Sequence, residues 1–164
     1  MVPGRMAVLG MEFRYKGVVF LIALACDHGG FVLMQEVKGF LDAGSHAYVD
    51  FGAYSEDSCD YPEIATSAAM AISNGECSRG IFICGTGIGM SIVANKTPGV
   101  RAACCTDCFT AEMSRRHNDA NVLALGARVT GAGLALKIVD QFLNTSFDGG
   151  RHSRRVNLIK ALEG

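Results

Sequence analysis

The chain has 164 residues, a formal charge of −1 at neutral pH and a pI of about 6.4. Its length suffices for one domain with a hydrophobic core, and 49% hydrophobic against 19% charged residues excludes a disordered chain. The balanced charge gives no indication of binding to nucleic acid or to an anionic membrane. Seven cysteines at irregular spacing are a poor disulfide framework and indicate a reduced, cytoplasmic protein.

The N-terminal segment allows two interpretations. Basic residues precede the apolar run 18–26, and Cys26 ends a sequence with some features of a lipoprotein cleavage site. The run is short, however, and the turn 27–30 follows at once, as it would after a strand. We therefore predict that the run forms the first core strand, that residues 1–15 are an extension outside the core, and that 16–164 form a single domain. No apolar run reaches the ~18–20 residues of a transmembrane helix.

Strand and helix patterns alternate along the chain. The predicted strands are 18–25, 47–50, 79–84, 100–105 and 122–125, and the predicted helices are 31–43, 63–74, 90–95, 110–117, 132–143 and 152–162. Such alternation predicts a Rossmann-like three-layer αβα sandwich with a five-stranded parallel sheet. Ligands of these sheets bind beyond the carboxyl ends of the strands, so the residues that follow the first, third and fourth strands are expected on one rim.

The glycine-rich turn that follows the third strand is the most informative segment. Gly85, Gly87 and Gly89 leave the backbone free to point several N–H groups at one anion. The turn lacks the end of a P-loop and does not fit a dinucleotide fingerprint. Cys84 stands at the end of the strand, next to a helix N-terminus that favours a thiolate. A reactive thiol beside an anion cradle is therefore predicted, with an inert packing cysteine as the alternative.

Two further segments belong near the same rim. Asp27 and His28 follow the first strand, where they form either a simple helix cap or an acid and an imidazole that transfer protons. Helix 110–117 ends with Arg115, Arg116 and His117, and cations at this end suit the helix dipole whether or not they are functional.

Positive charge is concentrated at the start of the last helix, at Arg151, His152, Arg154 and Arg155. The dipole repels cations at this end, and a bound phosphate would relieve that repulsion. Arginine is suited to bidentate phosphate contacts, although a solvated basic surface is the alternative. With a thiolate, an anion cradle and a phosphate clamp, the sequence predicts an aldose–ketose isomerase of sugar phosphates.

Six segments, in their order and spacing, resemble the type B ribose-5-phosphate isomerases, whose family includes the galactose-6-phosphate isomerase subunits. These segments are 26–30, 60–62, 83–91, 94–96, 114–121 and 150–156, and the resemblance covers roughly residues 17–162. It implies a homodimer or tetramer with active sites between subunits, and neither a cofactor nor a metal. The sequence agrees on the metal, since the motif histidines have no carboxylate at ligand spacing.

The resemblance also implies roles for individual residues. Cys84 is implied as the base that moves a proton between C1 and C2, with Thr86 activating the thiol. His117 of the partner subunit is implied in furanose ring opening, aided by Asp27. The implied binding residues are Gly85, Gly87, Ile88, Gly89 and Ser91 at the anion hole, His28, Arg151 and Arg155 at the phosphate, Arg128 and His152 near the ligand, and Tyr61 and Asn118 in the pocket.

The predicted reaction is the interconversion of D-ribose 5-phosphate and D-ribulose 5-phosphate in the pentose phosphate pathway, with Cys84 as a proton-transfer base and not a covalent nucleophile. One alternative is an isomerase of a 6-phosphate aldohexose, either allose or galactose 6-phosphate. Another is a nucleotide- or sugar-phosphate-binding module that has kept the fold without the chemistry. The choice of dimer or tetramer, and the subunit that supplies each arginine, stay open at this point.

Overall fold

The structure is a computed structural model that describes residues 5–7, 14–15 and 18–163. The strands are β1 Arg5–Ala7, β2 Arg14–Tyr15, β3 Val18–Val19, β4 Ile22–Cys26, β5 Tyr48–Asp50, β6 Arg79–Cys84, β7 Ala102–Cys104 and β8 Val122–Gly126. The helices are α1 Phe31–Ala43, α2 Tyr61–Ser73, α3 Ile88–Ala94, α4 Cys108–Asn118, α5 Ala132–Asn144 and α6 Arg151–Lys160, with short 3₁₀ helices at His28–Gly30 and Ala161–Glu163. None of the helices in these ranges is long and apolar enough to cross a membrane.

The main sheet has the strand order β1-β5-β4-β6-β8-β7. All neighbours from β5 to β7 pair in parallel, which confirms the predicted five-stranded parallel sheet. The additional strand β1 pairs antiparallel with β5 at the sheet edge. The predicted extension 1–15 lies mostly outside the described residues, so the boundary of the domain stays a prediction.

Alternate residues of the central strands point into two separate core layers. In β4, Ile22 and Leu24 pack with the layer formed by α1, α4 and α5, whereas Ala23 and Ala25 pack with α2 and α3. Both faces are therefore covered, and this explains why the strands are continuous apolar runs and not alternating ones. Cys84 ends β6 on the face covered by α2 and α3.

Most element boundaries differ from the predicted ones by one or two residues, for identifiable reasons. Helix α4 begins at Cys108 and not at residue 110, because Asp107 caps it by accepting a hydrogen bond from the Thr110 N–H at 2.8 Å. Strand β7 is shorter than predicted, because the N–H of Val100 is used in a turn and that of Arg101 donates to the Asn121 side chain. The predicted strand 18–25 is divided into β3, which pairs with β2, and β4.

Candidate active site

The carboxyl ends of β4, β6 and β8 bring three sequence segments together around Gly29. A Cβ atom placed on Gly29 would lie 3.3 Å from Asp27 Oδ1, 3.4 Å from the Gly85 nitrogen and 3.5 Å from Arg128 Nη2. Gly29 therefore lies at the point where these three groups converge. We call Asp27, His28, Tyr61, residues 84–89 and Arg128 the loop group.

Two glycines of the turn after β6, Gly87 and Gly89, allow a close approach by another group. Gly87 has φ +79°, and a Cβ there would lie 2.9 Å from Cys104 Sγ and from the Leu125 carbonyl carbon. A Cβ on Gly89 would lie 2.8 Å from the ring of Tyr61, and one on Gly85 would lie 3.4 Å from the Arg128 side chain. The turn therefore packs tightly between β8 and the first residue of α2, which fixes the direction of its N–H groups.

Cys84 is nearly buried, with 5% of its surface exposed, and the Gly87 N–H donates a hydrogen bond to its Sγ at 3.1 Å. This bond holds the sulfur against the turn. The N–H groups of Gly85 and Thr86 donate to no acceptor in the described part of the chain, so they are available to an anion. Backbone donors of this kind stabilise developing negative charge.

Thr86 is exposed, and its hydroxyl oxygen accepts a hydrogen bond from the Ile88 N–H at 3.4 Å. Within the described ranges, its hydroxyl makes no hydrogen bond to Cys84. Ser91 donates its hydroxyl proton to the Ile88 carbonyl at 2.9 Å, inside α3. In this conformation the Ser91 hydroxyl proton is used within α3, and the role of Ser91 at the anion hole stays a prediction.

Asp27 and His28 are held by backbone groups. Asp27 is buried, and its Oδ1 caps the 3₁₀ helix by accepting from the Gly30 N–H at 2.9 Å. His28 Nδ1 accepts from the Cys59 N–H at 3.4 Å. A neutral His28 therefore carries its proton on Nε2, so the ring presents a donor at its other edge.

A second set of predicted residues lies where the end of α4 meets the start of α6. The rings of His117 and His152 stack with their centroids 4.3 Å apart and their planes within 1° of parallel. Arg151 Nε donates to His152 Nε2 at 3.4 Å, and Arg155 lies one helical turn further on. We call His117, Asp148, Arg151, His152 and Arg155 the histidine group.

Charges of both signs surround the histidine pair. Burial, and then the charges of His117, Arg151 and Arg155, lower the pKa of His152, which favours its neutral ring at neutral pH. Asp148 accepts hydrogen bonds from Arg116 Nε at 3.1 and 3.2 Å, and this contact lowers the pKa of its carboxyl group. The carboxylate is therefore ionised beside the two rings.

Among the described residues, no hydrogen bond, ion pair or ring contact connects the loop group with the histidine group. The structure thus brings the predicted site residues together as two sets. Asn118 joins neither set by such a contact. Its side chain is exposed, and its backbone carbonyl accepts from Arg101 Nε at 3.1 Å.

Sequence reasoning missed three neighbours of these groups. Cys59 holds His28, Cys104 packs over Gly87, and Asp148 adjoins the histidine pair. Cys104 ends β7, so the rule that sites lie at the carboxyl ends of parallel strands could have identified it. Cys59 and Asp148 lie in loops, where no periodicity indicates which residue they will contact.

A cavity of about 530 Å³ lies between the loop after β5 and the start of α2, and its lining includes Cys59, whose N–H bonds His28. It is lined by Phe51, Gly52, Ala53, Tyr54, Ser55, Asp57, Ser58, Cys59, Glu63, Ile64 and Ser67. Two carboxylates and no basic side chain are present in this lining. A phosphate is therefore not expected in the cavity, whereas neutral hydroxyl groups are compatible with it.

Known proteins resemble this chain in sequence. A sequence model of the family described as Ribose/Galactose Isomerase matches residues 22–159. Ribose-5-phosphate isomerase B of Escherichia coli K12 is 47% identical over 142 residues, which cover 87% of this chain and 95% of that protein.

The solved structures that this chain resembles are also ribose-5-phosphate isomerases. A ribose-5-phosphate isomerase B of Clostridium thermocellum is 51% identical, with a TM-score of 0.86 over 88% of this chain and 97% of that one. Ribose-5-phosphate isomerase B of Mycoplasma genitalium, solved with bound ribulose-5-phosphate, is 40% identical. Its TM-score is 0.84 over 88% of this chain and 96% of that one. On its sequence and its fold, this chain belongs to the ribose/galactose isomerase family.

Proposed function

We propose that this protein is an aldose–ketose isomerase that interconverts D-ribose 5-phosphate and D-ribulose 5-phosphate. The observation that carries the proposal is the Cys84 thiol, 3.1 Å from the Gly87 N–H, beside the unused N–H groups of Gly85 and Thr86. A base next to an anion cradle is what proton transfer through an enediolate requires. The ribose-5-phosphate isomerases named above support the choice of substrate.

The isomerisation needs one carbon-bound proton to move and one negative charge to be held. The Cys84 thiolate takes the proton from C2 of the open-chain aldose, and the electron pair forms the cis-enediolate. The turn's N–H groups hold the developing oxyanion while the hydroxyl proton passes from O2 to O1. Return of the proton from Cys84 to C1 gives the ketose, so no proton or electron is gained or lost.

Ring opening comes before this step and needs a different group. His117 donates to the ring oxygen of the furanose, with Asp27 as an aid, and His28 presents Nε2–H to the substrate. Arg151 and Arg155 bind the phosphate, since both are exposed and stand at the start of α6, where an anion is favoured. Arg128, which lies over Gly85, is positioned to contact the same ligand.

A single chain holds these residues in two separate groups, so we propose a homodimer in which each active site combines the loop group of one subunit with the histidine group of the other. Exposed apolar side chains on α3 and α4 support this assembly. Ile88 and Ile92 on α3 are 57% and 54% exposed, and Phe109 on α4 is 68% exposed. Apolar side chains of this size that are exposed on helices are typical of a surface that a partner covers. A tetramer would contain two such dimers, each with the same active sites.

We further propose a cytoplasmic enzyme of the pentose phosphate pathway, because the seven cysteines include no disulfide and the substrate is a phosphorylated sugar. The decisive experiment compares kcat/KM for ribose 5-phosphate, allose 6-phosphate and galactose 6-phosphate. We expect the pentose phosphate to be preferred. A clear preference for a hexose phosphate would overturn the substrate assignment, and lack of turnover with all three would overturn the enzymatic one.

A further inference from the structure

The histidine group contains three side chains that could hold a metal ion together. His117, Asp148 and His152 each offer one ligand atom, and these atoms lie within 4.8 Å of one another. The geometry points to a binding site for Zn²⁺, or a transition-metal dication of similar preference, formed by these three side chains. An ion held there occupies the ring of His117, so it inhibits the isomerase. The inhibition rests on the proposed function, whereas the binding does not.

The distances require only a small closure. Ligand atoms on one tetrahedral zinc ion are about 3.3 Å apart, given Zn–N and Zn–O bonds of about 2.0–2.2 Å, so the cluster has to contract by about 1.5 Å at most. His152 is 8% exposed and is the fixed ligand, whereas His117 is half-buried and Asp148 is exposed. Rotation of these two outer side chains closes the site, and His117 leaves its stack on His152 as it does so.

The donor types select the class of ion. Two imidazole nitrogens and one carboxylate oxygen are a common ligand set for zinc sites that keep a fourth position open for water. Magnesium and calcium prefer oxygen ligands alone, so neither suits a pair of imidazoles. The histidine group therefore discriminates between zinc-like ions and the more abundant hard cations.

Neighbouring arginines limit the affinity without blocking the site. Arg116 donates to both oxygens of Asp148, but a carboxylate has further lone pairs for a metal, and Glu112 also neutralises Arg116 at 3.1 Å. Arg151 contacts His152 Nε2 at 3.4 Å, a long contact from an exposed side chain that a metal can displace. Repulsion by Arg151 and Arg155 makes binding weaker than at a structural zinc site.

Thiols are the competing ligands, because Cys84 and Cys104 both lie against Gly87 and soft metals favour sulfur. The binding experiment is therefore made on full-length Cys84→Ala protein, by calorimetric titration with Zn²⁺ and by absorption after titration with Co²⁺. We expect one ion per chain and a cobalt spectrum without thiolate-to-metal charge transfer. Loss of zinc binding in Cys84→Ala, or a thiolate band, would overturn the proposal.

The variant that tests the site is Asp148→Asn, and Asp140→Asn is the matched control. Asp140 is an exposed carboxylate on α5 that bonds only Asn144 among the described residues. In the Cys84→Ala background, Asp148→Asn should weaken zinc binding at least about tenfold, as loss of a metal-site carboxylate does, and Asp140→Asn should not. Equal affinity in all three proteins would contradict the assignment.

Inhibition is measured with Cys84 intact. With each enzyme's turnover expressed relative to its own zinc-free value, Asp148→Asn should require about tenfold more Zn²⁺ for half-inhibition, whereas Asp140→Asn should match the unsubstituted enzyme. Unchanged zinc sensitivity of Asp148→Asn would overturn the inhibitory role. An absence of isomerase activity in the zinc-free, unsubstituted protein would instead overturn the proposed function, and the binding titration would still decide the metal site.

Discussion

The loop group and the histidine group are built in opposite ways. In the loop group, the Cys84 thiol and the backbone N–H groups beside it lie at the end of a buried strand, and close contacts at Gly87 and Gly89 fix the turn. In the histidine group, the chemistry lies on side chains at the ends of α4 and α6, and Arg151 and Arg155 are exposed. In the proposed homodimer, the histidine group of one chain acts together with the loop group of the other chain on the same substrate.

This difference suggests a division of labour. Stabilising an enediolate requires donors that do not reorganise during the reaction, and tightly packed backbone provides them. Binding a phosphate and opening a sugar ring allow side chains that adjust to the ligand. Substitutions in the two groups should therefore have different effects on the steady-state constants. Changes in the turn of the loop group should lower kcat, whereas changes at Arg151 and Arg155 should raise KM.

The largest effect is expected for Cys84→Ala. Loss of a positioned general base should lower kcat by about 10²–10⁴, while binding of the sugar phosphate survives because the arginines are unchanged. Steady-state kinetics and calorimetric titration with ribose 5-phosphate measure the two quantities. Cys108→Ala, at the first residue of α4, is the matched control and should keep its turnover. Near-normal turnover of Cys84→Ala would exclude the thiolate mechanism.

The next effect tests whether the groups of two chains form one site. Cys84→Ala and His117→Ala proteins should each be nearly inactive. In a mixed dimer of the two variants, one site carries both substitutions and the other carries neither. Random exchange of an equal mixture should therefore restore about a quarter of the normal activity, because half of the dimers each contain one intact site of two.

Subunit exchange can be verified independently by using chains with different affinity tags. Each variant mixed with the unsubstituted protein provides the calibration for exchange. If exchange occurs and activity stays at the level of the separate variants, the two groups act within one chain and the proposed arrangement is wrong.

A smaller effect is expected at the phosphate. Arg155→Gln removes a charge-assisted contact of about 1.5–3 kcal/mol and should raise KM about tenfold or more with a modest change in kcat. Arg154→Gln, one residue earlier on the same helix, is the control that leaves Arg151 and Arg155 in place. An equal rise in KM for both variants would indicate a diffuse electrostatic effect and not a specific clamp.

The sequence predicted the fold because its strands are apolar runs buried on both faces, and such runs leave few alternatives to a parallel sheet. It predicted that Cys84 ends a strand and that a glycine turn follows, since these residues are adjacent in the chain and their geometry is local. It could not predict the bond from Ser91 to Ile88 or the proximity of Asp148 to His152. These depend on one hydroxyl rotamer and on the path of a loop, which no periodic pattern encodes.

The smallest effect concerns stability, and it tests whether the turn is held by packing. Gly87→Ala would place a Cβ 2.9 Å from Cys104 Sγ and from the backbone of Leu125, at a φ of +79° that alanine rarely adopts. Strain and overpacking together should reduce the free energy of unfolding by about 1–3 kcal/mol, measured by urea denaturation. The same substitution should lower kcat, because the N–H that donates to Cys84 Sγ is displaced.

Gly39→Ala is the matched control for this last change. Gly39 lies within α1, and no atom lies within 4 Å of the position that its Cβ would take. Alanine there should raise the free energy of unfolding by about 0.4–1 kcal/mol, because it restricts the unfolded chain, and leave kcat unchanged. If Gly87→Ala were as stable and as active as Gly39→Ala, tight packing would not be what fixes the turn, and the contrast between the two groups would lose its physical basis.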